Sequence, residues 1–271
     1  MKILLIGAGK MGFSIVSSWN NSNVIKSIKL TIVEKSNIRI LELKKKYKNI
    51  IFKKNIPQNW TGDLLILSIK PQVFFNISDE IVKKNIFAKN IISIMAGIKI
   101  KTLYKSIKFN TNIIRVMPNI ASSIGLGVTC IYYEKKKKNK LLSKIKKLLE
   151  GLGNTYILKS ENLLDSVTAL SGSGPAYFFL FLLNLESIAM KMGFGKKLSK
   201  KIVFDTALGA LQLTKDEYNI RKLIDDVSSQ GGTTEAALKE LEKKNNGLLE
   251  IMKKAVLAAD KRSKQLSKVS S

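Results

Sequence analysis

The chain opens Met1-Lys2-Ile3-Leu4-Leu5-Ile6-Gly7-Ala8-Gly9-Lys10-Met11-Gly12. Residues 2–6 form a short, almost wholly apolar run, and Gly7 to Gly12 fit the pattern G-x-G-x-x-G. The glycine pattern alone says little. Set between a strand-like run and the amphipathic stretch Lys10–Trp19, it predicts the first strand–turn–helix of a dinucleotide-binding fold. Gly7 permits the tight turn, Gly9 lets the backbone approach a pyrophosphate, and Gly12 lets helix and strand pack closely. The helix start then offers free N–H groups and a positive dipole end to phosphates.

Outward from that turn, strand-like and helical runs alternate. Lys29–Val33, Leu64–Ile69, Asn90–Ile94 and Asn112–Val116 are apolar enough for strands buried on both faces. Ile38–Tyr47 and Val73–Lys84 have helical periodicity between them, and Gly127–Tyr133, Leu141–Leu149 and Thr155–Leu158 suggest a closing strand–helix–strand. The expected class is α/β, a Rossmann-type doubly wound sheet over residues 1–160. Beyond residue 160 the strand-like runs vanish. Asn162–Leu170, Ala176–Met192, Lys197–Leu213, Thr234–Lys243 and Leu248–Leu266 all read as helices, so residues 161–271 are expected to form an all-helical domain. Its stretch Tyr177-Phe178-Phe179-Leu180-Phe181-Leu182-Leu183 is too apolar for a helix facing water, which predicts a dimer. The longest apolar stretch, Ala176–Leu183, falls short of the roughly 20 residues of a membrane span, and Gly7, Gly9 and Lys10 interrupt any leader-like start. A cytoplasmic protein without a membrane partner is expected.

Composition narrows the chemistry. Among 271 residues there is no histidine and one cysteine, Cys130. Histidine-based acid–base catalysis, Ser-His triads, histidine-rich or cysteine-rich metal sites and internal disulfides are excluded, and no metal is expected. The net charge of +27 normally suggests nucleic acid. Here the basic residues are nearly all lysine, with arginine at positions 39, 115, 221 and 262 alone, and they are scattered among isoleucines and asparagines. Nucleic-acid surfaces rely heavily on arginine. The charge therefore reads as compositional drift with a field that favours anionic ligands, and the run Lys135–Lys138 as a solvated loop or helix start. A basic nucleic-acid binder stays as a rival reading, with steeply salt-dependent affinity as its mark.

Several positions can carry chemistry. Glu34 ends the second strand-like run, where a carboxylate accepts from a ribose 2′-OH, yet Lys35, Ser36, Asn37 and Arg39 follow and suit a 2′-phosphate. Ser68-Ile69-Lys70-Pro71, Ser93-Ile94-Met95-Ala96-Gly97 and Arg115-Val116-Met117-Pro118-Asn119 close three further strands, at the end of a parallel sheet that faces ligands. Ser171-Gly172-Ser173-Gly174-Pro175-Ala176-Tyr177 starts a helix with two glycines that imply close backbone packing. Ser228-Ser229-Gln230-Gly231-Gly232-Thr233-Thr234-Glu235 brings hydroxyls and free amides together at another helix start, a natural carboxylate site.

Taken together, GAGKMG at 7–12, SIKP at 68–71, SIMAGI at 93–98, RVMPN at 115–119, DSVTALSGSGPAY at 165–177, SSQGGTTEAAL at 228–238 and RSKQL at 262–266 give a chain that resembles the Δ1-pyrroline-5-carboxylate reductases over essentially its whole length. The resemblance implies a Rossmann domain followed by a helical dimerisation domain, dimers that assemble into rings, and reduction of a cyclic imine carboxylate to L-proline by NADPH or NADH. It implies cofactor contacts at Ile6, Gly7, Ala8, Gly9, Lys10, Met11 and Gly12, at Asn55, at Ser68, Ile69, Lys70 and Pro71, and at Met95, Ala96 and Gly97. It implies substrate contacts at Glu161, Thr233 and Thr234, with the Thr234 hydroxyl near the imine nitrogen, and amides from Ser229 through Gly231 and Gly232 to Thr234 around the carboxylate. NADPH is the expected cofactor. Two positions depart from the family pattern: Ile120-Ala121 follow RVMPN in place of Thr-Pro, and Gln230 stands where proline or lysine is frequent. A reductase of the β-hydroxyacid dehydrogenase or imine reductase type is the rival within enzymes. Those place lysine or aspartate on the interdomain helix, where this chain has SGSGPAY.

Overall fold

The structure, a computed structural model, describes residues 1–134, 140–215 and 219–269. The expected lysine run 135–138 lies outside the described residues. In chain order the elements are β1 (Lys2–Ile6), α1 (Lys10–Asn21), β2 (Lys29–Val33), α2 (Asn37–Lys46), β3 (Ile51–Lys53), β4 (Thr61–Leu67), α3 (Phe74–Lys83), β5 (Phe87–Ser93), α4 (Ile100–Ile107), β6 (Asn112–Met117), β7 (Gly127–Tyr133), α5 (Lys140–Glu150) and β8 (Gly153–Ile157). Helices follow: α6 (Leu163–Val167), α7 (Gly174–Lys191), α8 (Lys196–Leu213), α9 (Ile220–Asp226), α10 (Thr233–Leu241) and α11 (Leu248–Val269).

The strands form one sheet in the order β3-β2-β1-β4-β5-β6-β7-β8. All neighbours are parallel except β6 and β7, which run antiparallel, with Val116 opposite Ile131. The sequence of β1 explains its central place. Ile3 and Leu5 point into one layer with Trp19, Leu30 and Ile66, while Leu4 and Ile6 point into the other with Leu65, Leu67 and Phe74. A strand with helices on both faces must be apolar wherever it is covered, and β1 is from Ile3 to Ile6. The order reverses between β1 and β4, which opens a crevice at their carboxyl ends.

The Rossmann-type expectation holds, with local differences. β3 is three residues long and half-exposed, so no strong apolar run marks it. α4 buries Ile100, Leu103 and Ile107, a helical spacing hidden in a lysine-rich stretch.

Packing divides the chain at a different place from residue 160. One compact unit comprises residues 1–173 with 259–271, the other residues 174–258. Residues 161–173 join the first because Leu164 is fully buried with Met117 and Cys130. The end of α11 joins it too, through Ser263, whose hydroxyl donates to the buried Asp165 carboxylate at 2.8 Å. In the second unit Gly193 and Gly231 adopt positive φ at turns between helices. Length also needs correction: the helical run Leu163–Lys191 covers 29 residues and is long and apolar enough to cross a bilayer by composition alone. The shorter stretch 176–183 understated it, because the moderately apolar residues on either side continue the same helix.

Candidate functional site

The crevice at the end of β1 and β4 has a volume of about 370 Å³. Its floor is built by glycine. Gly7 ends β1 at φ +92°, and a Cβ there would stand 2.3 Å from the Ser68 carbonyl oxygen. A Cβ on Gly12 would stand 2.3 Å from the Gly7 carbonyl oxygen. Both positions are therefore closed to any side chain, and they press the turn and α1 against the end of β4. Gly9 differs: the place of its Cβ is open, with no atom within 4 Å. Gly9 is the N-cap of α1, and no side chain caps the helix there. Uncapped amides beside an unobstructed backbone fit the pyrophosphate of a dinucleotide.

Ile6, Gly7, Gly9, Asn55, Ser68, Ile69 and Lys70 of the expected cofactor set line this crevice. Lys10 and Pro71 lie directly beside those residues in the chain, Met11 and Gly12 follow in the first turn of α1, and all four are off the lining itself. Ala8 is fully buried, and its backbone is held from two sides. Its N–H donates to Glu34 Oε2 at 2.9 Å, and its carbonyl accepts from Arg39 Nε at 3.2 Å. Glu34 Oε1 accepts from the Ser36 N–H at 3.0 Å. Arg39 also lies over the Phe13 ring, 4.7 Å from its centroid, and pairs with Glu42 at 3.0 Å. Lining residues that sequence reasoning missed include Lys54, beside Asn55, and Val73, Asn76, Ile77 and Glu80. The last four share one helical face by their spacing, a signal that was legible. Glu80 is paired with Lys84 at 2.8 Å.

Farther along the sheet edge, Met95, Ala96 and Gly97 make the turn after β5, with Gly97 at φ +79°. They are outside the crevice lining. What holds this turn is Arg115 on β6, whose side chain is 2% exposed. Its Nη2 donates to the Met95 carbonyl at 3.4 Å and its Nη1 to Glu161 Oε1 at 3.1 Å. The same Glu161 oxygen accepts from the Ile100 N–H at 2.7 Å, at the start of α4. Glu161, expected at the substrate, thus ties β6 to α4 with one oxygen. A carboxylate at a helix start beside a buried guanidinium is doubly favoured.

In the second unit the expected carboxylate turn exists as a tight loop into α10. Gly231 takes φ +72°, and a Cβ on Gly232 would lie 2.9 Å from the Ser229 carbonyl oxygen, so both positions favour glycine. Two of its amides are already used internally. The Gly232 N–H donates to the Ser229 carbonyl at 3.0 Å and the Gly231 N–H to Glu235 Oε2 at 2.5 Å. Hydrogen bonding from Lys239, then from Gly231, holds the Glu235 carboxyl below its ordinary pKa. In the first turn the amides of Thr233, Thr234 and Glu235 lack an intrahelical acceptor, and Thr234 is half-buried. Of the expected span of amides from 229 to 234, those of Gly231 and Gly232 are thus occupied within the turn.

Among the described residues no group of three or more histidine, cysteine or acidic side chains could hold a metal ion.

Comparison with known proteins matches both parts. Residues 161–266 match the family described as pyrroline-5-carboxylate reductase dimerisation, and residues 2–97 the family described as NADP oxidoreductase, coenzyme F420-dependent. The pyrroline-5-carboxylate reductase of Vibrio alginolyticus is 31% identical over 270 residues, 99% of this chain and 98% of that one. Pyrroline-5-carboxylate reductase 1 of Bacillus subtilis is 31% identical over 271 residues, 98% of this chain and 89% of that one. The crystal structure of the Plasmodium falciparum pyrroline carboxylate reductase, with NADP bound, superposes with a TM-score of 0.83 at 25% identity over 98% of each chain. Identity above 30% across the full length, with the same fold at both ends of the chain, places it by descent: the chain belongs to the pyrroline-5-carboxylate reductase family.

Proposed function

We propose that this chain reduces Δ1-pyrroline-5-carboxylate to L-proline with NADPH, the last step of proline biosynthesis, and that NADH serves as the weaker donor. The observation that carries this reading is the full-length likeness to reductases of that name, which spans the glycine-floored crevice and the Gly-Gly-Thr-Thr turn alike. A nicotinamide cofactor supplies the hydride that becomes the new C–H bond of the ring, and the imine nitrogen takes up one proton. The residues of this chain bind and orient. The crevice around Gly7, Gly9, Asn55 and Lys70 holds the dinucleotide, with the α1 amides at its phosphates. The Met95–Gly97 turn, braced by Arg115, holds the reactive end of the cofactor. The Thr233 and Thr234 amides, with Ser229 and the glycines shaping the turn, hold the substrate carboxylate. The Thr234 hydroxyl aligns the ring nitrogen, accepting from the iminium N–H on arrival and donating to the nitrogen lone pair that hydride addition creates, and Glu161 contacts the substrate. A cyclic imine is basic enough to arrive protonated, so the absence of histidine costs nothing.

The working unit in this reading is a homodimer formed through residues 161–266, with dimers assembled into rings, in the cytoplasm. The exposed phenylalanines of α7 support the dimer. The test is oxidation of NADPH and of NADH in the presence of pyrroline-5-carboxylate, each with a control lacking the imine. Consumption that depends on the imine, faster with NADPH, is the expected result. Nucleotide binding without imine-dependent consumption would overturn it.

A further inference from the structure

Glu34 stands where a carboxylate at the end of the second strand reads the ribose hydroxyls of NADH and repels the 2′-phosphate of NADPH. By position alone, this chain should favour NADH. Its geometry says otherwise. Both carboxylate oxygens are turned onto backbone donors of the protein itself: Oε2 accepts from the Ala8 N–H at 2.9 Å and Oε1 from the Ser36 N–H at 3.0 Å. Arg39, the one nearby group with the fork geometry for a phosphate, is also engaged. Its Nε donates to the Ala8 carbonyl at 3.2 Å, Nη1 pairs with Glu42 at 3.0 Å, and the guanidinium lies on Phe13.

We propose that Glu34 and Arg39 are positioning residues that clamp Ala8, one by its N–H and the other by its carbonyl, and that neither reads the adenosine ribose. The inference rests on the nucleotide-binding reading of the crevice. Ala8 lies between the two glycines that matter most: Gly7, whose φ is +92°, and Gly9, whose open side admits the pyrophosphate. A residue between two glycines has little local stiffness, because each glycine visits many conformations. Fixing both polar groups of Ala8 removes that freedom before the ligand arrives, which is preorganisation. Glu34 lines the crevice half-buried with both oxygens engaged by those two amides, and beside it Lys35 and Lys54 are exposed charges on the same lining that suit a 2′-phosphate.

The clamp and the reader predict opposite signs. Loss of a charge-assisted hydrogen bond to a buried backbone group corresponds to roughly a 10-fold change in affinity. Fluorescence titration without substrate should therefore show Glu34→Ala weakening NADPH and NADH each by roughly 10-fold. Glu34→Gln, which keeps an oxygen to accept from Ala8, should recover most of both. Arg39→Met, which keeps a flexible stem over Phe13, should also weaken both nucleotides together. In the nucleotide-free protein, hydrogen exchange over residues 7–9 should speed up in Glu34→Ala and Arg39→Met and stay slow in Glu34→Gln. Tighter NADPH binding in Glu34→Ala would show that Glu34 repels the phosphate and would overturn the clamp. A loss confined to NADPH in Arg39→Met would make Arg39 a phosphate ligand and would overturn it equally. If the unaltered chain bound neither nucleotide, the reading of the crevice itself would fail, and the clamp with it.

Discussion

The two compact units treat apolar side chains in opposite ways. In the sheet-containing unit, large apolar residues such as Trp19, Phe74, Leu65 and Ile66 are almost wholly buried. In residues 174–258 the comparable side chains face outward: Phe178 is 64% exposed, Phe179 63% and Phe204 57%. Among the described residues there, the buried ones are Gly174, Ser199 and Gly247. The first unit closes its core around a sheet with a helix layer on each side. The second has helices apolar round much of their girth and no sheet to cover, and the proposed dimer would supply the missing cover.

The contrast can be broken most directly at α7. Phe179→Glu should cost about 3–5 kcal/mol of assembly free energy, because a charge would be trapped in an apolar contact. Light scattering at micromolar concentration should show monomer in place of oligomer, with the melting temperature lowered. A variant that assembles normally, or an unaltered chain that is already monomeric, would show that the α7 face needs no partner. In the first unit damage should appear in folding and leave assembly alone. Gly7→Ala forces a methyl to 2.3 Å from a backbone carbonyl at φ +92°, and urea unfolding should report a loss of about 3–4 kcal/mol. Gly9→Ala, with open space around it, should keep stability while nucleotide affinity falls.

Arg115→Met should cost about 3 kcal/mol in the same unfolding measurement. It leaves Glu161 with the Ile100 amide alone and frees the Met95 carbonyl. Buried Arg115 Nε has no hydrogen-bond partner, so part of the guanidinium is carried at a cost that methionine would remove. Thr234→Ala, in the second unit, should leave stability and nucleotide binding unchanged and lower kcat about 10²-fold, roughly 2–3 kcal/mol, more than it raises KM. Thr234→Ser should recover much of the rate. Near-normal kcat in Thr234→Ala would reduce the hydroxyl to a helix-start residue.

The smallest effect belongs to the surface of the first unit. Asp63 accepts from the Lys2 N–H and from Lys89, both at 2.9 Å, and these bonds hold its carboxyl below the ordinary value. A depressed folded pKa adds stability above the unfolded pKa of about 3.9, lost as pH falls through the folded value. Asp63→Asn should therefore be slightly less stable than the unaltered chain at neutral pH, and the gap should close in strong acid. A gap of constant size from pH 7 to pH 2 would assign the effect to geometry and not to charge.

Much of the site was legible because glycine announces geometry. Gly7, Gly9 and Gly12 have distinct roles that follow from spacing, and the structure gives each its distinct surroundings. The lysines were harder. Lys54 lines the crevice, but in a chain with net charge +27 no pattern marks one lysine among many. Glu161 and Glu34 show the limit most clearly. Each sits where the sequence leads one to expect a ligand contact, and each has an oxygen bound to a backbone amide far away in sequence, Ile100 and Ala8.

The sequence by itself determined the class of fold, the glycine turn after β1, the helical second half and the absence of histidine chemistry. These follow from periodicity, glycine placement and composition, all of which are local properties of a chain. Tertiary structure alone decided that β7 runs antiparallel to β6, that Ser263 returns to pack with Asp165, and that Glu34 and Glu161 each give an oxygen to a backbone amide of another segment. Those outcomes depend on which donors lie within 3 Å after folding. A side chain's partner is set by the meeting of segments 26, 61 or 98 residues apart, and no short-range pattern encodes that meeting.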